Sequence, residues 1–420
     1  MDKFIIRGGN ALKGSVTISG AKNASLALMP ATLLCNGVCR LENTPRLRDI
    51  ATMSTLLESM GVEIRHPGTT LELDCSNIHS FEAPYDLVKK MRASFYVLGP
   101  LLGRYGTARV SYPGGCAWGP RPVDLHLKAM QELGAEIDID GGYVVARTKR
   151  LKGADITFDI SSVGATGNTL MAAVCAEGIT TIRNAATEPE ITQLAGFLVR
   201  MGAIIHGIGS NCLTVEGVDE LHPAEDRNIP DRIEAGTFLA AAAATGGEIT
   251  LEQVDPFHLT AVLTKFREAG CEVLPGARSV TLRAPERLLP VNITTAIYPG
   301  FPTDMQAQWM ALMTGANGSS FITDTVYTDR FNHVAELQRL GARIDVTQNS
   351  AIVHGVPALK GATVMSTDLR ASASLIIAGL VAQGSTEVLR VYHLDRGYEA
   401  IELKLRDLGA DIHRVDSEEY

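Results

Sequence analysis

The sequence predicts an α/β protein of two domains, each formed by three repeats of about 70 residues around buried helices. Three observations lead to this fold class. A sequence phrase of helix, glycine and strand recurs along the chain, and a second phrase with a more apolar helix recurs with the same period. The length of 420 residues also exceeds what one hydrophobic core usually holds. These features argue against an open doubly wound sheet, and no G-x-G-x-x-G motif follows a predicted strand.

The first phrase is the end of an amphipathic helix, then a glycine, then alternating apolar residues. Examples are LLESMGVEIRH and MQELGAEIDI. Glycine suits the left-handed conformation just past a helix end, and the alternation indicates a strand. The spacings between successive glycines are 73, 68, 68, 71 and 68 residues, which predicts six units. The glycines of this phrase are Gly61, Gly134, Gly202, Gly270, Gly341 and Gly409.

The second phrase contains a helix that is apolar nearly all round, such as GTFLAAAAAT or ASLIIAGLVA. A helix without a polar face is buried, so one helix of each repeat should lie inside its domain. The strands and the amphipathic helix should surround it, giving two helices and about four strands per repeat. The glycines that follow this helix are Gly37, Gly106, Gly178, Gly247, Gly318 and Gly384.

Six repeats divide naturally into three plus three. The stretch DELHPAEDRNIPD, residues 219–231, is polar and contains proline, which is typical of a linker. We predict one domain from residues 22–229, with repeats 1–3, and a second from residues 1–21 and 230–420, with repeats 4–6. The opening strand could complete either domain, and the predicted division assigns it to the second.

The composition is that of a globular protein, with 45% hydrophobic and 20% charged residues and a net charge of -9. Nucleic-acid binders usually carry a basic balance, so a nucleic-acid partner is not expected. No apolar run reaches the roughly 20 residues of a membrane span, and the chain does not open on a signal peptide. We therefore expect a cytoplasmic protein without a membrane partner, whose cysteines remain thiols.

Charged residues recur at the predicted start of the buried helices. Helix N-termini expose free N–H groups and suit anionic ligands, and lysine and arginine add full positive charge. This pattern predicts a cleft between the two domains that binds a ligand with several negative charges. The residues about 14 positions before each second-phrase glycine are Lys22, Arg92, Gly164, Ile233, Asp304 and Arg370.

A simpler interpretation exists for each polar position taken alone. Asp304, Asn23 and Ser161 could be N-caps, which is the commonest role of a polar residue at a helix start. Surface lysines and arginines are usually solvated. Charged residues that recur at the same position of a sixfold repeat, however, favour a shared binding site.

Seven segments spread over the whole chain resemble the UDP-N-acetylglucosamine 1-carboxyvinyltransferases of the enolpyruvyl transferase family. The resemblance implies a two-domain inside-out α/β barrel with three repeats per domain, in agreement with the repeat count. The segments are SGAKNASLALMPA, PGGCAWGPRPVDLHL, SVGATGNTLMAA, PDRIEAGTF, PGFPTDMQAQ, DLRASASL and DRGYEAIELKLRDLGA.

The resemblance also implies a reaction. The enolpyruvyl group of phosphoenolpyruvate passes to the 3-hydroxyl of UDP-N-acetylglucosamine and phosphate is released, as the first committed step of peptidoglycan synthesis. Both substrates are small polyanions, which suits a basic cleft. No metal and no organic cofactor is implied, and the oligomeric state stays open.

By the same resemblance Cys116 is the general acid that protonates the methylene carbon of phosphoenolpyruvate and the target of alkylation by fosfomycin. A neighbouring Arg121 favours its thiolate form. Asp304 is implied to take the proton from the attacking hydroxyl, and Lys22 and Arg396 complete the catalytic set. The residues implied to bind phosphoenolpyruvate are Lys22, Asn23, Arg121, Arg370 and Arg396.

The nucleotide sugar is implied to contact a larger set, and Arg330 also matches a family arginine. The sequence departs from the family pattern at Trp118 and Pro120 in the cysteine loop and at Arg48, where a lysine is common. The positions implied for UDP-N-acetylglucosamine are Arg92, Arg121, Pro122, Val123, Asp124, Leu125, Ser161, Ser162, Val163, Gly164, Asp304 and Val326.

Two alternatives remain at this stage. A 3-phosphoshikimate 1-carboxyvinyltransferase would share the fold, but it would not need the loop cysteine, and serine typically follows its first lysine. A nucleotide-sugar-binding paralogue with a regulatory role would have no need to keep Lys22, Cys116, Arg121, Asp304 and Arg396 together.

Overall fold

The chain forms two compact units in a computed structural model that describes residues 2–112 and 123–416. The first unit comprises residues 20–229, and the second comprises residues 1–19 and 230–420. The predicted boundary after residue 21 lies two residues beyond this division. Each unit has its own hydrophobic core among the described residues.

The helices alternate between apolar and amphipathic along the chain. Among the described residues, five α-helices are buried along nearly their whole length, as expected for helices without a polar face. Short 3-10 helices cover Thr32–Leu34, Arg92–Val97, Pro256–Leu259, Thr303–Met305 and Val391–Arg396. The α-helices of the described residues are α1 (Lys22–Ala31), α2 (Arg48–Met60), α3 (Tyr85–Val88), α4 (Leu98–Tyr105), α5 (Asp124–Glu132), α6 (Val163–Ala173), α7 (Pro189–Arg200), α8 (Arg232–Ala244), α9 (Thr260–Glu268), α10 (Gln306–Met313), α11 (Val334–Arg339), α12 (Leu369–Val381) and α13 (Ile401–Asp407).

The strands are short and alternate between buried and exposed residues, as in a sheet with one face on the core. In chain order the strands of the described residues are β1 (Asp2–Arg7), β2 (Lys13–Thr17), β3 (Val38–Glu42), β4 (Glu63–Arg65), β5 (Leu71–Asp74), β6 (Glu82–Ala83), β7 (Thr107–Ser111), β8 (Glu136–Asp140), β9 (Tyr143–Arg147), β10 (Asp155–Thr157), β11 (Ile179–Arg183), β12 (Ile204–His206), β13 (Cys212–Glu216), β14 (Glu225–Arg227), β15 (Glu248–Glu252), β16 (Glu272–Pro275), β17 (Ser279–Arg283), β18 (Ile293–Thr294), β19 (Ser319–Thr323), β20 (Arg343–Thr347), β21 (Ser350–His354), β22 (Thr363–Met365), β23 (Ser385–Leu389) and β24 (Asp411–Asp416).

Within the described residues these strands form six four-stranded sheets, and each sheet has one parallel edge pair and two antiparallel pairs. In the first unit the sheets have the orders β14-β3-β5-β4, β6-β7-β9-β8 and β10-β11-β13-β12. In the second unit the orders are β16-β17-β15-β2, β18-β19-β21-β20 and β22-β23-β1-β24. In each unit the apolar helices lie inside and the sheets outside, which confirms the predicted inside-out α/β fold with six repeats.

Three of the sheets depend on strands that come from distant parts of the chain. β14 pairs in parallel with β3, and β2 pairs in parallel with β15. β1 lies between β23 and β24, with Ile5 opposite Glu387 on one side and His413 on the other. The opening strand, which the sequence could place in either domain, therefore completes the second unit.

The two units divide within residues 219–231, but the interpretation of this stretch as a linker is wrong for its middle. Residues Glu225–Arg227 form β14, and Asp226 is buried. The Asp226 carboxylate accepts a hydrogen bond from Gln193 Nε2 at 2.6 Å and pairs with Arg200 at 3.0 Å. A polar residue can lie in a sheet when its partners satisfy it, so composition alone misidentified this strand.

The glycines of the first phrase all have the predicted left-handed conformation, with φ between 89° and 107°. In the second phrase the fourth repeat differs, because Gly246 takes the positive φ instead of Gly247. At Gly247 a Cβ atom would lie 2.2 Å from the backbone oxygen of Leu12, so a close approach of the chain requires this glycine. No helix within residues 2–112 and 123–416 is long and apolar enough to cross a membrane.

Candidate functional site

The starts of the buried helices are capped by residues other than those that the sequence suggested. The side chains of Ser162, Asp231 and Asp368 accept hydrogen bonds from backbone N–H groups at the starts of α6, α8 and α12. Ala21, Met91 and Pro302 occupy the cap positions of the other three. The alternative that Asp304, Asn23 and Ser161 serve as N-caps is therefore wrong, and another account of these polar side chains is needed.

In the second unit, Asp304 lies between two arginines. Its Oδ1 accepts a hydrogen bond from Arg330 Nη1 at 2.8 Å. Its Oδ2 accepts from Arg370 Nη2 at 3.0 Å and from Arg370 Nε at 3.2 Å. The Asp304 side chain is 28% exposed, whereas that of Arg370 is 3% exposed. A partly open carboxylate with both oxygens held by charged donors has a fixed orientation toward solvent.

Arg370 remains charged although it is buried. Burial alone would lower the pKa of this guanidinium, but Tyr398 and the carboxylates of Asp304 and Asp231 outweigh that effect and raise the pKa. The Arg370 guanidinium carbon lies 5.4 Å from the centre of the Tyr398 ring. The unit therefore holds a permanent positive charge at the start of α12, where the helix dipole adds to it.

Below Asp304, a layer of buried polar groups connects α8, α10 and Tyr398. Gln308 Nε2 donates to the backbone oxygen of Asp304 at 2.9 Å and to Thr237 Oγ1 at 3.2 Å. The Thr237 and Tyr398 hydroxyls are 2.9 Å apart. Although Gln308 Oε1 is buried without a hydrogen-bond partner, these contacts tie the short helix that carries Asp304 to α8 and Tyr398.

Asp324, which the repeat pattern does not single out, organises the loop after β19. This side chain is fully buried, and its Oδ1 accepts hydrogen bonds from Thr295 Oγ1 and from the backbone N–H groups of Val326 and Tyr327. Its Oδ2 accepts from Thr303 Oγ1 at 2.7 Å. An aspartate that accepts from N–H groups two and three residues later forms an Asx turn, and the segment DTVY after a strand carries that signal.

The remaining expected residues of the second unit are also placed. Val326 is exposed in the Asx turn, and Arg396 is half-buried at the end of the 3-10 helix Val391–Arg396. That short helix packs against α12, which carries Arg370. The geometry thus brings Asp304, Arg330 and Arg370 into direct contact, and it places Arg396 on an element next to α12.

In the first unit, Lys22 begins α1 and contacts a carboxylate that the sequence did not suggest. Lys22 Nζ lies 3.3 Å from Asp49 Oδ2, and the Asp49 side chain is 4% exposed. Asn23 follows on the exposed side of α1, and Arg48 is exposed at the start of α2. The contact with a buried carboxylate holds the Lys22 ammonium group at the start of the helix.

The starts of α5 and α6 meet through His126. The His126 ring packs edge-on against Phe95 with 5.2 Å between centroids, and its Nδ1 accepts a hydrogen bond from Asn168 Nδ2 at 2.9 Å. A Cβ atom at Gly164 would lie 3.0 Å from the ring, so any larger residue there would force the ring to shift by a few tenths of an ångström. This contact places Asp124 and Leu125 of α5 near Val163 and Gly164 of α6.

His126 also gives the folded first unit a dependence on pH. Burial, with a smaller contribution from Arg92, lowers the pKa of this imidazole to about 3. In the unfolded chain a histidine titrates near 6.5, so the unfolded state binds a proton first as the pH falls. The stability that a neutral His126 contributes is therefore complete above about pH 6.5 and is lost progressively toward pH 3.

We expect the free energy of unfolding of the wild type to fall by about 2 kcal/mol more than that of His126→Gln between pH 7 and pH 5. Urea denaturation of both proteins at the two pH values measures this difference. His79→Gln is the control, because His79 is exposed. Equal pH dependence in the wild type and His126→Gln would contradict the prediction.

The loop expected to carry the general acid lies outside the described residues. Cys116, Arg121 and Pro122, together with Trp118 and Pro120, belong to residues 113–122. Beyond this loop the described residues resume at Val123, and α5 begins at Asp124. In the described part of the chain, no group of three or more His, Cys, Asp or Glu residues is arranged to hold a metal ion.

Known proteins resemble this chain over nearly its whole length. A family model described as EPSP synthase (3-phosphoshikimate 1-carboxyvinyltransferase) matches residues 6–405. A relative from Chloroherpeton thalassium, named UDP-N-acetylglucosamine 1-carboxyvinyltransferase, is 61% identical over 423 residues, covering 100% of this chain and 99% of its own. A relative of the same name from Prosthecochloris aestuarii is 60% identical, with 100% of both chains covered.

Two solved structures share the fold. The enolpyruvyl transferase NikO from Streptomyces tendae has a TM-score of 0.89 and 29% identity, with 98% of each chain covered. An EPSP synthase from Acinetobacter baumannii has a TM-score of 0.76 and 20% identity, covering 99% of this chain and 100% of its own. At 20% identity the second likeness concerns the fold alone.

Proposed function

Since the chain belongs to the EPSP synthase family, an enzyme family of carboxyvinyl transferases, we propose that it transfers the enolpyruvyl group of phosphoenolpyruvate to the 3-hydroxyl of UDP-N-acetylglucosamine. Phosphate is the second product. The observation that carries the proposal is the identity of about 60% over the full length with relatives that bear the name of this reaction. Identity to the EPSP synthase structures is 19–20%.

The chemistry needs an acid, a base and positive charge. In the proposed reaction the Cys116 thiol protonates the methylene carbon of phosphoenolpyruvate, and the adjacent carbon becomes cation-like. The sugar hydroxyl oxygen attacks that carbon and gives its proton to the Asp304 carboxylate. Phosphate then leaves and one methyl proton returns to the Cys116 thiolate, which restores the carbon–carbon double bond in the product and the thiol in the enzyme.

The charges around Asp304 support its proposed role. Arg330 and Arg370 hold both carboxylate oxygens, so the carboxylate is oriented before any substrate arrives. Preorganised charge of this kind lowers barriers without reorganisation during the reaction. Arg370, Arg396, Lys22, Asn23 and Arg121 are the proposed ligands of phosphoenolpyruvate, where guanidinium groups suit both carboxylate and phosphate.

The nucleotide sugar is proposed to contact the starts of α5 and α6 and the Asx turn of the second unit. The capped start of α6 offers backbone N–H groups, which suit anionic oxygens. The product would feed peptidoglycan synthesis, and we place the enzyme in the cytoplasm, where nucleotide-activated sugars are made. The proposed contacts are Arg92, residues 121–125 and 161–164, Asp304 and Val326.

Phosphate release from phosphoenolpyruvate tests the proposal directly. With UDP-N-acetylglucosamine as acceptor, we expect one phosphate per enolpyruvyl product, and no release with shikimate 3-phosphate. Release with shikimate 3-phosphate instead would support the sister reaction. Binding of UDP-N-acetylglucosamine without phosphate release, measured by calorimetry, would support a regulatory paralogue and overturn the proposed activity.

A further inference from the structure

The pair of Asp304 and Arg330 rests on a chain of hydrogen bonds that leads into the core of the second unit. Arg330 Nη1 donates one hydrogen to Asp304 Oδ1 at 2.8 Å and the other to Thr303 Oγ1 at 3.0 Å. The Thr303 hydroxyl donates to Asp324 Oδ2 at 2.7 Å. Asp324 is fully buried, so the chain ends on a carboxylate that solvent does not reach.

The direction of each hydrogen bond follows from the donors and acceptors present. An ionised carboxylate only accepts, so the Thr303 hydroxyl must point its proton toward Asp324. The lone pairs of Thr303 Oγ1 then face Arg330, whose guanidinium only donates. Because the Asp324 carboxylate accepts the hydroxyl proton of Thr303, the Thr303 oxygen is free to accept a hydrogen bond from Arg330.

The other oxygen of Asp324 anchors the loop that carries Arg330. Its Oδ1 accepts from Thr295 Oγ1 at 2.7 Å, from Val326 N at 3.0 Å and from Tyr327 N at 2.8 Å. One buried carboxylate thus holds the short helix of Asp304 through Thr303 and the loop of Arg330 through the backbone. Asp304 and Arg330, which meet at Asp304 Oδ1, are therefore both held in place by the Asp324 carboxylate.

We propose that Asp324 is a positioning residue, which acts through Thr303 to hold Arg330 against Asp304 in the orientation that proton transfer requires. The inference rests on the proposed function, in which Asp304 accepts the proton of the sugar hydroxyl. Asp324 itself touches no substrate. Its effect is to keep the carboxylate and its arginine in one arrangement, and small misplacements of reacting groups are costly in rate.

Thr303→Val tests the inference with little change in side-chain volume. It removes the hydroxyl and leaves Asp324 and its turn in place. We expect kcat to fall by about 10- to 100-fold while KM for UDP-N-acetylglucosamine changes much less. Thr303→Ser, which keeps the hydroxyl, should recover most of the lost turnover. Unchanged kcat in Thr303→Val, or equal losses in both variants, would overturn the inference.

Asp324→Asn provides the second variant. The amide nitrogen would donate to Thr303 and reverse the direction of its hydroxyl, so the loss in kcat should resemble that of Thr303→Val. In the double variant the two losses should not multiply, because both remove the same contact. Multiplying losses would show that Asp324 acts on stability instead. Asp345→Asn, an exposed carboxylate on β20, is the matched control.

Crystal structures of Thr303→Val and Thr303→Ser test the hydrogen-bond chain from Asp324 through Thr303 to Arg330 without any assay of turnover. Arg330 should leave Asp304 in the valine variant and keep its contact in the serine variant. A retained contact in the valine variant overturns the inference. This outcome is distinguishable from failure of the proposed function, which the wild type alone would reveal by releasing no phosphate.

Discussion

Cys116→Ala is expected to lower turnover by about 10²- to 10⁴-fold, the range over which a positioned general acid contributes. Alanine has no proton to give to the methylene carbon of phosphoenolpyruvate, whereas the basic groups proposed to bind the two anions remain. Phosphate release under saturating substrates measures the loss. Binding of UDP-N-acetylglucosamine should survive, since the proposed nucleotide-sugar contacts do not include the thiol.

Cys212→Ala is a suitable control, because Cys212 is a half-buried thiol on β13 and no role is proposed for it. Fosfomycin gives an independent readout of the same thiol in the wild type. One molecule should add to the peptide that contains Cys116, as mass spectrometry can detect, and activity should be lost in parallel. Wild-type turnover in Cys116→Ala would rule out the acid role.

Asp304→Asn is expected to reduce kcat by a similar factor of about 10² to 10⁴. An amide cannot take the proton of the attacking hydroxyl, although it fills nearly the same volume. It also leaves Arg370, whose side chain is 3% exposed, facing a neutral group. A buried charge that loses its partner is destabilising, so the melting temperature should fall as well.

The loss of kcat and the loss of stability can be separated. Asp304→Asn combined with Arg370→Met removes the unpaired charge, so the melting temperature should recover in the double variant, whereas the loss of turnover is measured in Asp304→Asn alone because Arg370 is itself a proposed ligand of phosphoenolpyruvate. Asp345→Asn tests for a general effect of replacing a carboxylate in this unit. Turnover near the wild-type level in Asp304→Asn would contradict the assignment of the base.

The repeats and the buried helices were predictable because their signals are local. The glycines Gly61 to Gly409 mark helix ends through their own backbone, and an apolar helix such as α8 reveals its burial by composition. The strand β14 was not predictable in this way, since its hydrogen bonds go to β3 about 185 residues earlier. Asp226 in its middle is charged, so the local pattern indicated a linker.

The residues of the candidate site also divide into those that local sequence signals predict and those that only long-range contacts reveal. Lys22, Arg370 and Asp304 stand at fixed places in the repeat, so periodicity alone singled them out. Asp49 and Asp324 lie at no such place, and only tertiary contacts bring them to Lys22 and Thr303. The prediction of N-caps was wrong because a cap is a single residue, and the sequence does not locate a helix start to within one residue. At α6, for example, the cap is Ser162 and not Ser161.

The pairing of β1 with β23 and β24 has a consequence for synthesis on the ribosome. β1 must wait for strands that leave the exit tunnel much later, since Ile5 pairs with residues 387 and 413. At about 5–20 residues per second this delay is on the order of 20 to 80 seconds. Residues 20–229 form a contiguous unit and can fold during that time. Nascent-chain folding is thus ordered by the position of one strand, with the unit that contains β1 completed last.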